Sequence, residues 1–105
     1  MTDIYQALSD PTRRKILSIL SGRHCAQKDI VEHFEISQPA ILKHLRVLKE
    51  AGMIQEKKEG KYRVYTLDKD NFSVAYQQMV REMEAILDNQ LYRLKHFLES
   101  EEDQK

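Results

Sequence analysis

Hydrophobic residues recur along this chain with two different periods, and the changes of period mark out its elements. Between Ser37 and Ile54 (SQPAILKHLRVLKEAGMI), Ile41, Leu45 and Leu48 fall at i, i+4 and i+7, which sets them on one stripe of a helix. Both ends of that helix are signalled. Ser37 is placed to act as N-cap, Pro39 lies in the first turn where a missing N–H costs nothing, and Gly52 supplies the stop. Upstream, Asp10 and Pro11 open another helix, with Ile16, Leu17, Ile19 and Leu20 as its apolar face and Gly22 as its end. Asp3 to Leu8 is a short amphipathic piece with Ile4, Ala7 and Leu8 on one side, too brief to be stable unless it packs on something. A turn over residues 22–26 leads to a third helical stretch, Gln27 to Phe34, with Ile30, Val31 and Phe34 facing inward.

After Gly52 the period shortens to two. Ile54 to Lys58 reads as a strand, Glu59-Gly60 as a tight turn, and Lys61 to Leu67 (KYRVYTL) as a returning strand rich in β-branched and aromatic residues. Such a hairpin is marginal alone, so it is predicted to lean on the helices. From Phe72 to about Ser100 the helical period resumes, with neither Gly nor Pro, through Phe72, Tyr76, Met79, Val80, Met83, Ile86, Leu87, Leu91, Leu94 and Leu98. A helix of that span runs about 42 Å, longer than a core of this size can cover. Its uncovered stripe, joined by the opening amphipathic piece, predicts an interface with a second copy across a two-fold axis, built from Ile4, Leu8, Tyr76, Met79, Met83, Ile86, Leu87 and Leu94. The Met and Tyr residues on it read as interface filler rather than a ligand box. Residues Glu99 to Lys105 are predicted to fray.

The pattern is mainly α with a small β-hairpin, and a length of 105 residues implies one domain over positions 1–105. No apolar run approaches the roughly 20 residues of a membrane span, so no membrane insertion is expected. The opening MTDIYQALSD contains no apolar signal region. A single cysteine, Cys25, forms no internal disulfide, which suits a reducing cytoplasm; its readings are a small packed residue at a helix junction or a redox or metal role. The formal charge is zero, but it is unevenly spread. Seven cations (Lys43, Arg46, Lys49, Lys57, Lys58, Lys61, Arg63) stand against three acids between Lys43 and Arg63, whereas Glu82 to Lys105 holds seven acids against three cations. A cationic centre with an acidic distal end steers one surface toward a polyanion.

The chemistry lies in that cationic centre. Gln38, Lys43, Arg46 and Lys49 point away from the Ile41/Leu45/Leu48 stripe, and no carboxylate precedes Glu50. Amide and cationic side chains on a carboxylate-free helix face suit a phosphate-lined groove and its base edges; the plain alternative is a solvated face. Two short helices joined by a short turn, the second opening at Ser37, have the form of a helix-turn-helix. The hairpin that follows carries Lys57, Lys58, Lys61 and Arg63, and in that position it forms a wing able to reach phosphates or a neighbouring minor groove. Arg13, Arg14 and Lys15 crowd a first helical turn, where the helix dipole disfavours cations, so surface pairing or a phosphate contact is expected there. No Ser-His-Asp order, carboxylate pair or Gly-rich phosphate loop is present, and the three glycines all fall at turns. Neither an enzyme nor a cofactor is expected.

Taken in order, DPTR-x-x-IL (Asp10 to Leu17), SQ-x-x-x-x-x-HL-x-x-L-x-x-AG (Ser37 to Gly52), a charged hairpin and a long terminal helix resemble the ArsR-type family of winged-helix repressors, over Ile4 to about Leu98. The resemblance implies a dimeric repressor that sets the helix after Ser37 into the major groove and the hairpin along the backbone. It implies base-edge contacts from Gln38, Pro39, Leu42 and Lys43 on the helix and contacts from Lys57, Lys58, Lys61 and Arg63 on the wing; to these the capped, outward face of the helix adds Ser37 and Arg46 as expected DNA contacts. Leu42 departs from the polar residue common at its position, and is either a thymine-methyl contact or packing. Arsenic and cadmium sensors of the family carry a cysteine pair where this chain has Ala26 and Lys28, and the zinc sensors' Asp-x-His is matched only by Asp88 followed by Gln90, with His96 and Glu99 as a further fragment. No metal is therefore expected. Without metal motifs the chain is similar to the autorepressor branch, whose members can be controlled by a partner protein. His44 reads as half-buried and hydrogen-bonded, and His24 and His33 as solvated. The expectation is a homodimeric repressor that binds double-stranded DNA at an inverted repeat. The alternative is a winged-helix module that binds protein and leaves DNA untouched.

Overall fold

The computed structural model describes residues 3–103, with only the backbone of residues 101–103. The described chain falls into two units that divide between Ser73 and Val74. In the first, α1 (Ile4–Leu8), α2 (Pro11–Leu20), β1 (Cys25–Ala26), α3 (Gln27–Glu32), α4 (Gln38–Glu50), β2 (Ile54–Glu59) and β3 (Tyr62–Leu67) follow in sequence, and α5 (Lys69–Asp103) begins there. Asp3 caps α1 by accepting from the Gln6 N–H at 2.8 Å, and Asp10 caps α2 by accepting from the Thr12 N–H at 2.7 Å. One core gathers Ala7, Ile16, Leu17, Leu20, Ile30, Ile41, Leu45, Leu48, Met53 and Ile54, with Ile4, Leu8, Phe34, Leu42 and Phe72 packed at its margin. Burial of this apolar set, each large side chain contributing about 2 kcal/mol, is what holds the short helices in place.

Four expectations need correction. Cys25 and Ala26 are strand rather than turn, because their backbones pair antiparallel with β3 in the register Cys25↔Tyr65 and Ala26↔Val64. The sheet therefore has three strands in the order β1-β3-β2. The hairpin loop is Gly60-Lys61, since Glu59 still pairs with Tyr62; positive φ at Gly60 (62°) and not at Lys61 gives the primed turn that matches strand twist. The third helix ends at Glu32, short of Phe34, whose N–H bonds the Val31 carbonyl in a closing turn. Finally, α5 starts at Lys69 because Asp68 caps it, accepting from the Asn71 N–H at 3.1 Å.

The second unit is the helix from Val74 onward. It remains helical through Asp103, so no fraying is seen over Glu99 to Asp103; Gln104 and Lys105 lie outside the described residues. Tyr76, Met83, Ile86, Leu87, Leu91, Leu94, Phe97 and Leu98 are all exposed large hydrophobic residues, and Met79 is half-buried. No helix among the described residues is long and apolar enough to cross a membrane.

Candidate nucleic-acid interface

The second helix of the helix-turn-helix is fixed at both ends by its own sequence. Ser37 accepts from the Ala40 N–H at 3.3 Å, and Pro39 sits in the first turn. At the other end Gly52 takes φ 75°, its N–H bonding the Lys49 carbonyl at 3.0 Å while the Met53 N–H reaches Leu48 at 3.1 Å. This is the six-to-one, five-to-two closure that favours glycine, and Met53 beyond it is fully buried. Ile41, Leu45 and Leu48 hold the inner face, so that Gln38, Pro39, Lys43 and Arg46 are exposed, as expected. Ser37 is exposed beside them, its hydroxyl taken up by the cap. Leu42 is half-buried, packed against the core and also lining the groove between α4 and the hairpin.

On the hairpin, Lys57, Lys58, Lys61 and Arg63 are all exposed, and Lys61 Nζ lies over the Tyr62 ring, 5.6 Å from its centroid. Between α4 and the hairpin runs a groove of about 280 Å³ lined by Leu42, Leu45, Arg46, Lys49, Glu56, Arg63 and Tyr65. Its centre is a carboxylate. Lys49 donates to Glu56 Oε2 at 2.8 Å and Arg63 to Glu56 Oε1 at 2.8 Å, while the Tyr65 hydroxyl stands 3.3 Å from Oε1 and 3.2 Å from Gln27 Oε1. The Lys49 hydrogen bond holds the Glu56 carboxyl below its usual pKa; burial opposes this and Arg63 adds to it. Burial, then the Glu56 charge, pushes the Tyr65 phenol up to about 12. Counting acids against cations gave no sign of this arrangement, because the pairing of Glu56 with Tyr65 follows from the corrected Gly60-Lys61 turn and not from a turn at Glu59-Gly60.

The cations at the start of α2 are engaged with protein rather than left for solvent. Arg13 donates to the carbonyls of Ala7 (2.9 Å) and Gln6 (2.8 Å), and Arg14 to that of Leu8, so both satisfy the open C-terminal end of α1. Arg13 also meets His44 Nδ1 at 3.0 Å, which ties α2 to the middle of α4 and fits a half-buried, hydrogen-bonded His44. Lys15 lies 5.0 Å over the Phe34 ring. For Asp10, burial raises the pKa, but the Thr12 N–H, His44 and Arg13 outweigh it and hold the carboxyl low.

The residues predicted for an interface divide in two. Ile4 and Leu8 are half-buried against the core of their own chain, whereas Tyr76, Met83, Ile86, Leu87 and Leu94 are exposed. A thiolate metal site does not fit: Cys25 is buried on β1 and no second thiol exists in the chain. Among the described residues no three His, Cys, Asp or Glu side chains gather closely enough to hold an ion.

Comparison with known proteins places this arrangement. The profile of bacterial regulatory proteins of the arsR family matches residues 10–56. The transcriptional repressor SdpR of Bacillus subtilis is 46% identical over 68 residues, covering 65% of this chain and 76% of that one. Among solved structures, an ArsR-like transcriptional regulator from Rhodococcus sp. RHA1 superposes with a TM-score of 0.75 at 27% identity, over 92% of this chain and 88% of the other. A second ArsR family regulator gives a TM-score of 0.71 at 30% identity, over 81% and 87%. With a helix-turn-helix, a cationic wing and relatives of this kind, the chain belongs to the arsR family of bacterial regulatory proteins and is a transcriptional regulator rather than an enzyme.

Proposed function

We propose that this chain is a homodimeric repressor that binds double-stranded DNA at an inverted repeat, with α4 in the major groove and the β2–β3 hairpin along the backbone. The observation that carries the reading is the outer face of α4: Gln38, Lys43 and Arg46 exposed together, with a rigid cap at each end of the helix and exposed cations on the adjoining hairpin. Gln38 and Lys43 offer donors to base edges, Ser37 and Pro39 bring the helix start close to the groove, and Arg46 with Lys57, Lys58, Lys61 and Arg63 serves phosphates. Leu42 acts from behind this face by seating α4 on the core. The exposed stripe of the terminal helix, Tyr76 to Leu94 together with Met79, supports pairing of two copies, with Ile4 and Leu8 at its edge. Two-fold symmetry then presents two reading helices to half-sites roughly 34 Å apart. One domain, residues 1–105, contains both functions, and no cofactor is required.

A salt titration of binding to an inverted-repeat duplex tests the reading. Affinity should fall linearly on logarithmic axes as salt rises, because cations on the protein displace condensed counterions. Binding that is absent, or indifferent to salt, overturns it. Charge reversal at Lys43 and Arg46 should abolish DNA retention, which a pure protein-binding module would not predict.

A further inference from the structure

The groove between α4 and the hairpin contains its own anion. Glu56 has a side chain only 17% exposed, yet the two cations it holds are 55% (Lys49) and 65% (Arg63) exposed. Each carboxylate oxygen takes one of them at 2.8 Å, the spacing of a charge-assisted hydrogen bond. Carboxylate and phosphodiester offer the same thing to a guanidinium and an ammonium, a pair of oxygens sharing one negative charge, and so compete for the same donors. Ion pairs whose cations are this open contribute little to folding, which leaves their effect on ligands as the larger consequence. The third neighbour, the Tyr65 hydroxyl, is shared with Gln27 and does not free either cation.

We propose that Glu56 is a built-in competitor for the nucleic-acid backbone, occupying Lys49 and Arg63 so that a DNA phosphate must take them from it. The proposal rests on the DNA-binding reading and deepens it. Phosphate contacts carry no sequence information, so a carboxylate that discounts two of them lowers binding to any duplex and leaves discrimination to the base-facing start of α4. Glu56 is thus a specificity-determining residue that touches no base.

The test uses the full chain and the nearly isosteric Glu56→Gln variant, with affinities measured across a range of salt for a random-sequence duplex and for a genomic fragment retained by the wild type. The variant should bind the random duplex about tenfold more tightly, gain less on the retained fragment, and show a salt dependence steeper by up to about 1.8 on logarithmic axes, the slope expected when Lys49 joins the phosphate contacts and the contact of Arg63, partial in the wild type, becomes complete. Lys49→Met should then cost more affinity in the Glu56→Gln background than in the wild type, because only there is the ammonium free. Unchanged slope with equal or weaker random-sequence binding overturns the proposal, as does an equal cost of Lys49→Met in both backgrounds; either result makes Glu56 a strut. If the wild type retains no duplex at any salt, the DNA-binding reading falls and this inference with it.

Discussion

The first unit and the terminal helix are built from the same apolar residue types at the same helical spacing, yet they treat them oppositely. In α4, Ile41 and Leu48 are 0% exposed; on α5, Ile86 and Leu91 are 60% and 63% exposed. Periodicity therefore identifies which residues want cover, without saying where the cover comes from. For α2 and α4 it comes from the sheet and from each other. The stripe beyond Val74 is left exposed, and the proposed cover is a second copy of the chain, since an exposed apolar surface of that length is costly in water.

The sharpest way to break this contrast is to charge the terminal stripe. Ile86→Glu combined with Leu94→Glu should raise the dissociation constant of the dimer by about 1,000-fold, because unpaired carboxylates would be buried on pairing. Sedimentation equilibrium should show single chains, while circular dichroism of the first unit stays native. A core truncation acts inversely: Leu48→Ala should cost about 3 kcal/mol at every protein concentration, read by urea unfolding, because the cavity lies within one chain. Asp10→Ala, which removes the α2 cap, should cost about 1 kcal/mol. Since the Asp10 carboxyl is held below 3.8, its contribution is complete above that pH and disappears as pH falls through the lowered value. Wild type and variant should then converge in stability under strongly acid conditions.

The smallest effect concerns Tyr65. Its phenol is pushed up to about 12, so the protonated form favours the folded chain, in full below the ordinary tyrosine value of 10.0 and with loss as pH rises through about 12. Glu56→Gln removes the charge that contributes to this rise, and tyrosinate absorbance should show Tyr65 ionising at lower pH in the variant while the burial contribution persists.

Much of this was legible in the sequence where signals are local. Ser37, Pro39 and Gly52 delimit α4, and Ile41, Leu45 and Leu48 orient it, because caps and stripes act within a few residues. The strand at Cys25-Ala26 was not legible: two residues show no period, and their partners, Tyr65 and Val64, lie far along the chain. The purpose of Arg13 and Arg14 was hidden for another reason, since their acceptors are backbone carbonyls, which every residue has. At the candidate interface the outward cations could be read from helix phase, whereas the carboxylate among them could be placed only once β2 and α4 were brought together. The start of α5 was missed because Asp68 caps a first turn that carries no apolar residue before Phe72.

The two-residue strand has a mechanical consequence. Because Cys25 and Ala26 are laced to Tyr65 and Val64, the inner hairpin strand β3 is held along one margin by β2 and, at those two residues, along the other by the segment that leads directly into α3. It can pivot away from the helices only by tearing that ladder. On the proposed reading, a duplex that meets a wing held in this way would supply the bending itself, which would favour sequences that flex cheaply even at steps no side chain reaches.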